Sequence, residues 1–272
     1  MLEALSFDFM QHALIAGILV SLLSGVIGSL IVVNRMVFLA GGIAHASYGG
    51  IGLALFFGFP LFLGASLFAV ATALLISAIT LHQRERIDTF IGLIWSVGMA
   101  IGILLVDMSP GYNVDMLSYL FGSILAVSRE DLYFMGGLLL LTLLIITIWY
   151  RDILAVSYDS EYAALRGLNV KFFYTLILVL SALTVVIAIK VVGLILVMAM
   201  LTIPVYIAER LSRTLLGMMA ISGIVATLFT TLGLWLSYTY NLTSGASIIV
   251  VSALSLGVFL VGASLFKHYH RG

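Results

Sequence analysis

The sequence predicts an all-α protein, a polytopic bundle of transmembrane helices. Hydrophobic residues occupy 63% of the 272 positions, charged residues occupy only 9%, and the apolar runs are continuous. A soluble domain carries about 25% charged residues, so this chain lacks the polar side chains to cover a water-facing surface. A membrane β-barrel would alternate polar and apolar residues in segments of about 10, and these runs do not alternate.

Nine stretches approach the length of about 20 apolar residues that a helix needs to cross a bilayer. They lie at 12–33, 37–58, 60–81, 90–107, 132–149, 171–189, 191–208, 214–238 and 246–266. A further stretch at 114–127 is shorter, and we expect it to form a re-entrant or outer-surface helix buried in protein. No room remains for a soluble domain, so residues 1–272 are expected to form a single transmembrane domain. The N-terminus shows no signal-peptide pattern, so the first span should stay in the mature protein.

The positions of lysine and arginine predict the orientation of the chain, because cytoplasmic loops retain these residues. Most of them follow the first, third or eighth span, lie between the fifth and sixth spans, or close the chain. Placing those segments in the cytoplasm gives nine crossings, with the N-terminus outside and the C-terminus inside. Arg129 and Lys190 are then exceptions near the outer face. The alternative is ten crossings with the N-terminus inside, which would place Arg35 outside.

Composition and motifs exclude several classes of function. The formal net charge of zero gives no reason to expect nucleic acid as a partner. The absence of cysteine excludes disulfides, thiolate metal sites and cysteine nucleophiles. The chain has no HExxH, GxSxG or GxxxxGK(S/T) pattern, so any work driven by a nucleotide must come from another subunit.

His45 is the candidate functional residue, because ionisable groups within the hydrocarbon are costly and rare. It lies eight residues into the second predicted span, about 12 Å along a helix, and neutral histidine binds zinc and other borderline metals well. Gly41, Gly49 and Gly52 share its helical face, where small residues allow another backbone to approach. This face either lines a narrow pathway or packs tightly, and His45 either binds a cargo or simply bonds a facing helix. Tyr48, at i+3, is placed to hydrogen-bond the imidazole or its cargo.

The stretch 150–173 is the longest polar segment, and we interpret it as a loop that contains a short helix. Ser157 or Asp159 is a candidate N-cap, Glu161 suits the first turn, and Gly167 suits the end of the helix. Such a helix either docks a partner on the cytoplasmic face or lies as a connector on the membrane surface.

Five stretches of the chain resemble, in the same order, segments of the zinc and manganese permeases of bacterial ABC importers. The segment MVFLAGGIAHASYGGIGLA around His45 resembles the second-span signature of that family. The other four are YLFGSILAVSREDL at 119–132, YDSEYAALRGLNV at 158–170, VVGLILVMAMLTIPVYIAERL at 191–211 and NLTSGASIIVVSAL at 241–254. The resemblance covers nearly the whole chain.

The resemblance implies a permease that works as a homodimer in a bacterial or archaeal cytoplasmic membrane. Two cytoplasmic ATPase subunits would use the ATP, and an extracytoplasmic protein would deliver a divalent metal ion, with no cofactor bound permanently. His45 would contribute to the metal site on the translocation path. The coupling helix would map to 158–168, with Asp159, Glu161, Ala164 and Gly167 as its contact residues.

One departure from the family concerns the metal. The family commonly places an aspartate four residues before the histidine, where this chain has Gly41. Without that carboxylate, zinc is favoured over manganese, and Glu209 is a candidate for a compensating ligand. The alternatives are a permease for a larger metal chelate, such as a siderophore or cobalamin, an intramembrane enzyme and a passive channel.

Overall fold

The computed structural model describes residues 7–80, 87–109, 122 and 124–269. Within these ranges the backbone forms ten α-helices, one 3-10 turn and no strand. The elements are α1 (Asp8–Val33), α2 (Val37–Phe57), α3 (Leu61–Thr80), α4 (Ile87–Asp107), the 3-10 turn (Ile124–Ala126), α5 (Arg129–Tyr158), α6 (Ser160–Leu165), α7 (Val170–Val192), α8 (Leu194–Leu211), α9 (Leu215–Tyr240) and α10 (Ser244–Tyr269). The predicted all-α helical bundle is confirmed.

Each of the nine predicted spans coincides with a helix. Eight of the described helices, all except α6 and α8, are long and apolar enough to cross a membrane. Helix α8 has 18 residues and Pro204 inside it, and at 1.5 Å per residue it is about 27 Å long. Most of the short helix predicted at 114–127 lies outside the described residues. Its described end is the 3-10 turn, which packs against α1 and α7.

Helices α1, α2 and α7 form the centre of the bundle. Between 72% and 78% of their membrane-crossing residues are buried, against 17% for α4 and α10. Within a bilayer the hydrophobic effect contributes little to contacts between helices. The helices instead associate through close packing, which small side chains allow. In α1, a Cβ atom at Gly25 would lie 2.4 Å from the backbone nitrogen of Gly223 in α9. The Ser222 hydroxyl donates a hydrogen bond to the Gly25 carbonyl over 2.8 Å, so a polar bond also joins α9 to α1 at this contact.

The stretch 150–173 is mostly helical. Its interpretation as a loop that contains a short helix was therefore wrong for most of its length. Helix α5 continues to Tyr158, past a local break at Trp149 (φ −109°, ψ 24°), and α7 begins at Val170. No glycine or proline lies between 150 and 158, so the helix continues after its residues become polar.

The short helix predicted inside this stretch is confirmed as α6. Its N-cap is Asp159, whose carboxylate accepts the Tyr162 backbone N–H over 2.9 Å. The other candidate cap, Ser157, instead accepts a hydrogen bond from the Asn34 side-chain amide over 3.0 Å. Gly167 follows the helix with φ 79°, a conformation that favours glycine.

Lys190, an exception to the predicted placement of basic residues in the cytoplasm, has an ionic partner. Its ammonium lies 2.5 Å from Oδ1 of Asp131 and 5.4 Å from the centroid of the Phe62 ring. The hydroxyl and the backbone N–H of Ser128 donate to Oδ2 of Asp131 over 2.8 and 3.0 Å. Pairing lowers the cost of a lysine at the end of a span, so this residue does not require the cytoplasmic side.

Candidate functional site

The site is built around the imidazole of His45, which α2 holds in a half-buried position. Its Nδ1 lies 2.8 Å from the carbonyl oxygen of Gly41, one turn earlier in the same helix. A carbonyl oxygen only accepts hydrogen bonds, so Nδ1 carries the proton. In the neutral ring this leaves the lone pair on Nε2, the arrangement in which histidine binds metals.

Trp95 of α4 fixes the plane of this imidazole from a second helix. The two ring centroids are 3.9 Å apart and the planes are inclined by 26°. The indole N–H of Trp95 donates to the sulfur of Met99 over 3.2 Å, which fixes the indole in turn. One hydrogen bond and one stacking contact therefore orient His45 from different sides.

Close backbone packing brings α4 to this position. A Cβ atom at Gly52 would lie 2.5 Å from the carbonyl oxygen of Gly102, and one at Gly102 would lie 2.5 Å from the carbonyl oxygen of Tyr48. One at Gly49 would lie 3.0 Å from the carbonyl oxygen of Gly98. Gly49 and Gly52 therefore lie in the contact between α2 and α4. This contact sets the register that brings Trp95 opposite His45.

Gly41 faces another neighbour, the side chain of Met198 in α8. A Cβ atom at Gly41 would lie 3.1 Å from the Met198 sulfur and 3.3 Å from its terminal methyl group. Met198 itself is half-buried. A thioether therefore occupies the space into which a side chain at position 41 would project.

The two supporting residues predicted from the sequence differ in where the structure places them. Tyr48 is 3% exposed, so its side chain is enclosed by protein. Glu209 is exposed near the end of α8, eleven residues beyond Met198, which is about 16 Å along a helix. The structure does not bring Glu209 to His45.

Glu209 instead lines a cavity of about 600 Å³ at the end of the bundle where α6 lies. We call this end of the molecule the α6 end. The cavity lies between the α1–α2 connection, the α5–α6 junction and the α8–α9 connection. Its polar and charged lining residues are Asn34, Arg35, Ser157, Tyr158, Ser160, Tyr174, Glu209, Ser212, Arg213 and Thr214.

Helix α6 has a buried anchor and an exposed remainder. Ala163 is fully buried, whereas Glu161, Ala164 and Gly167 are exposed. Leu165 is 88% exposed. The predicted contact residues therefore lie on an accessible surface that also carries an apolar side chain.

Sequence reasoning missed Trp95, Met198 and Leu165. The signal for Trp95 was available, because Gly98 and Gly102 repeat the spacing of small residues on α2, and a glycine-to-glycine contact would have placed Trp95 near His45. No local pattern distinguishes Met198 from the other methionines of the chain. Nothing local to Leu165 indicates that its side chain is exposed, since leucine is most often buried.

Comparison with known proteins shows what this chain is similar to. Residues 6–264 match the family model described as the ABC 3 transport family. An uncharacterized membrane protein of Synechocystis sp. is 46% identical, over 94% of this chain and 91% of that protein. A manganese transport system membrane protein of Halalkalibacterium halodurans is 36% identical, over 99% of this chain and 94% of that protein.

Two solved structures share the fold. PsaBC from Streptococcus pneumoniae, in complex with Fab, has a TM-score of 0.82 and 32% identity, and the match covers 93% of this chain and 91% of that chain. An inward-facing ABC transporter of the metal-chelate type has a TM-score of 0.72 at 20% identity, covering 93% of this chain and 86% of that chain. The second likeness shows the fold alone.

Proposed function

This chain belongs to the ABC 3 transport family, and from that membership we propose that it is the permease subunit of an ATP-driven importer of divalent metal ions. It is a multi-pass membrane protein and a transport subunit, and ATP hydrolysis belongs to a separate subunit. Residues 1–272 form one permease domain in this proposal. The membrane is the cytoplasmic membrane of a bacterium or archaeon.

The geometry of His45 is the observation on which the proposed transport of a metal ion depends. The Gly41 carbonyl holds the proton on Nδ1, and Trp95 stacks on the ring. The hydrogen bond described for this ring uses Nδ1, so Nε2 keeps the lone pair that can bind a metal ion. A donor held in this way within a membrane span is suited to binding a metal ion briefly during transport.

Zinc and manganese are the two candidate cargoes. The H. halodurans relative and a Streptococcus gordonii relative of 33% identity are named for manganese, which favours that ion. Gly41 favours zinc, because the chain lacks a carboxylate one turn from His45, and manganese prefers hard oxygen ligands. We propose zinc as the preferred ion.

The α6 end is the cytoplasmic end in this proposal, with the N-terminus outside and the C-terminus inside. The exposed surface of α6, with Glu161, Ala164, Leu165 and Gly167, contacts the ATPase, and Asp159 holds the helix by capping it. A second copy of the chain completes the permease. An extracytoplasmic protein delivers the ion, and alternating access then exposes His45 to each side of the membrane in turn.

Transport by the reconstituted complex tests this function. The chain, its ATPase and its binding protein are placed in liposomes, and ATP-dependent uptake of radioactive zinc and manganese is measured. His45→Ala is expected to abolish uptake while the protein still inserts and binds the ATPase. His12→Ala, which removes a histidine near the start of α1, is the matched control and should leave uptake unchanged. Full uptake by the His45→Ala complex would remove His45 from the mechanism.

The same assay separates free ions from a chelate. Excess unlabelled zinc or manganese is expected to compete with the labelled ion. Competition by a siderophore or cobalamin, and none by free ions, would instead identify the chain as a chelate permease.

A further inference from the structure

Met198 places a second electron-pair donor near His45. Its thioether sulfur lies 3.1 Å from the Cβ position of Gly41, and the carbonyl of Gly41 holds the His45 ring over 2.8 Å. Gly41 and His45 are one helical turn apart on the same face of α2. The imidazole of His45 and the thioether of Met198 therefore lie about one helical turn apart along α2.

The carboxylates of Glu209 in α8 and Asp88 in α4 are remote from this contact along their helices. In the part of the chain that the structure describes, no three histidine, aspartate or glutamate side chains lie close enough together to hold a metal ion. Glu209 is about 16 Å farther along α8, and Asp88 is seven residues, or about 10 Å, before Trp95 along α4. The donors described at this contact, the imidazole of His45 and the thioether of Met198, are neutral.

Gly41 and Met198 depend on each other sterically. The absence of a side chain at position 41 leaves the volume that the sulfur and its methyl group occupy. A side chain at position 41 would have to displace the thioether. Gly41 therefore leaves space for the Met198 sulfur. A residue with a longer side chain at position 41 would place its own side-chain atoms there instead.

From this arrangement we propose that Met198 is a specificity-determining residue, whose sulfur, in the space that a side chain at position 41 would fill one turn from His45, selects zinc over manganese. The inference rests on the proposed transport of divalent metals. Thioether and imidazole donors suit zinc, whereas manganese prefers carboxylate and water oxygens. A neutral thioether is also a weak donor, so an ion is held without being trapped, as a transport path requires.

Fluorescence of Trp95 provides a direct test on the full-length purified chain. In a Trp149→Phe, Trp235→Phe background, Trp95 is the remaining tryptophan, and it stacks on the ring that binds the ion. Titration with zinc and with manganese gives two affinities and their ratio. Met198→Leu keeps the side chain apolar and similar in volume while removing the sulfur. Met200→Leu, on the same helix and buried, is the matched control.

Met198→Leu is expected to weaken zinc binding about tenfold and to leave manganese binding unchanged, a loss of the size seen when a supporting group of a metal site is removed. Met200→Leu should change neither affinity. Met198→Glu is expected to raise manganese affinity, because it introduces a carboxylate at the same place. An unchanged affinity ratio in Met198→Leu would overturn the proposal.

Transport separates this inference from the function on which it rests. If the wild-type complex carries neither ion, the proposed function fails. If it carries the ions but Met198→Leu keeps the wild-type preference for zinc over manganese, with the same binding protein, only the role of Met198 fails.

Discussion

The imidazole of His45 lies on the indole of Trp95, with ring centroids 3.9 Å apart. The two residues come from different helices, and the contact between α2 and α4 brings them together. Because Gly41 controls one ring nitrogen and Trp95 controls the plane of the ring, the direction of Nε2 is set by two separate contacts. Such outer contacts usually matter for metal binding nearly as much as the ligand does.

Trp95→Ala is therefore expected to lower the affinity of the chain for zinc about tenfold, because the ring loses one of its two supports. Trp95→Phe keeps an aromatic face and should retain most of the affinity. Isothermal titration calorimetry of the purified chain measures both. Trp235→Ala on α9 removes an exposed indole far along the chain from His45 and serves as the control. Equal zinc affinities in Trp95→Ala and the wild type would contradict a positioning role.

Gly102→Ala should destabilise the contact between α2 and α4. The added Cβ atom would lie 2.5 Å from the carbonyl oxygen of Tyr48, so the helices must separate. We expect a loss of about 1–3 kcal/mol, the usual cost of overpacking. Gly92→Ala on the same helix is the matched control, because nothing lies within 4 Å of its Cβ position. Thermal unfolding in detergent compares the two, and an equal transition temperature would contradict the tight packing.

Leu165→Ser is expected to weaken coupling to the ATPase. Leu165 is 88% exposed on α6, so removing its apolar surface should change the stability of the fold little. The same change would remove an apolar contact with a docked partner. Stimulation of the ATPase in the reconstituted complex is the measurement. Leu242→Ser is the control, because Leu242 is also exposed but lies after α9, at the end of the bundle away from α6. Full stimulation by the Leu165→Ser complex would show that α6 is not the docking helix.

Gly167→Ala should also affect this region, by a different cause. The residue has φ 79° with nothing within 4 Å of its Cβ position, so the cost is backbone strain and not a clash. We expect a cost of about 1 kcal/mol. ATPase stimulation should fall while insertion is kept, and Gly136→Ala, at another open glycine position, should leave stimulation unchanged. Wild-type stimulation by Gly167→Ala would show that the turn after α6 does not matter for coupling.

Lys190→Met is expected to destabilise the fold by about 1–2 kcal/mol, because it leaves Asp131 without its cation. The side chains of Lys190 and Asp131 are 34% and 14% exposed, so solvent reduces the loss below that of a fully buried pair. Adding Asp131→Asn to Lys190→Met should recover part of the stability. A double-mutant cycle on unfolding temperatures gives the coupling energy, and additive effects would indicate that the pair contributes nothing.

The positions of the helices were largely predictable, because crossing a bilayer imposes a local requirement on every span. Helix α6 was predictable for a similar reason, since Asp159 and Gly167 are short-range signals for a cap and a stop. The extension of α5 to Tyr158 was missed because polar residues were taken as a sign of loop, although nothing in 150–158 breaks a helix.

The site was predictable only as far as His45 itself. Its rarity in a hydrophobic segment is a property of the sequence, and so is the run of glycines around it. Whether those glycines open a path or close a contact depends on what faces them. Gly52 meets the backbone of α4, and Gly49 meets both the Phe68 ring of α3 and the backbone of α4. Gly41 instead meets the sulfur of Met198.

The sequence by itself determined the class of the protein, the number of its long apolar segments and the one histidine worth testing. These features are local, because each polar group in a bilayer has its own free-energy cost. Only the tertiary structure decided that Trp95 stacks on this histidine, that Met198 fills the space in front of Gly41 and that Glu209 lines a cavity at the α6 end. Those relationships depend on the register between helices, which is set by the close approach of particular backbones. Hydropathy does not specify that register, since lipid-facing and protein-facing positions are equally apolar.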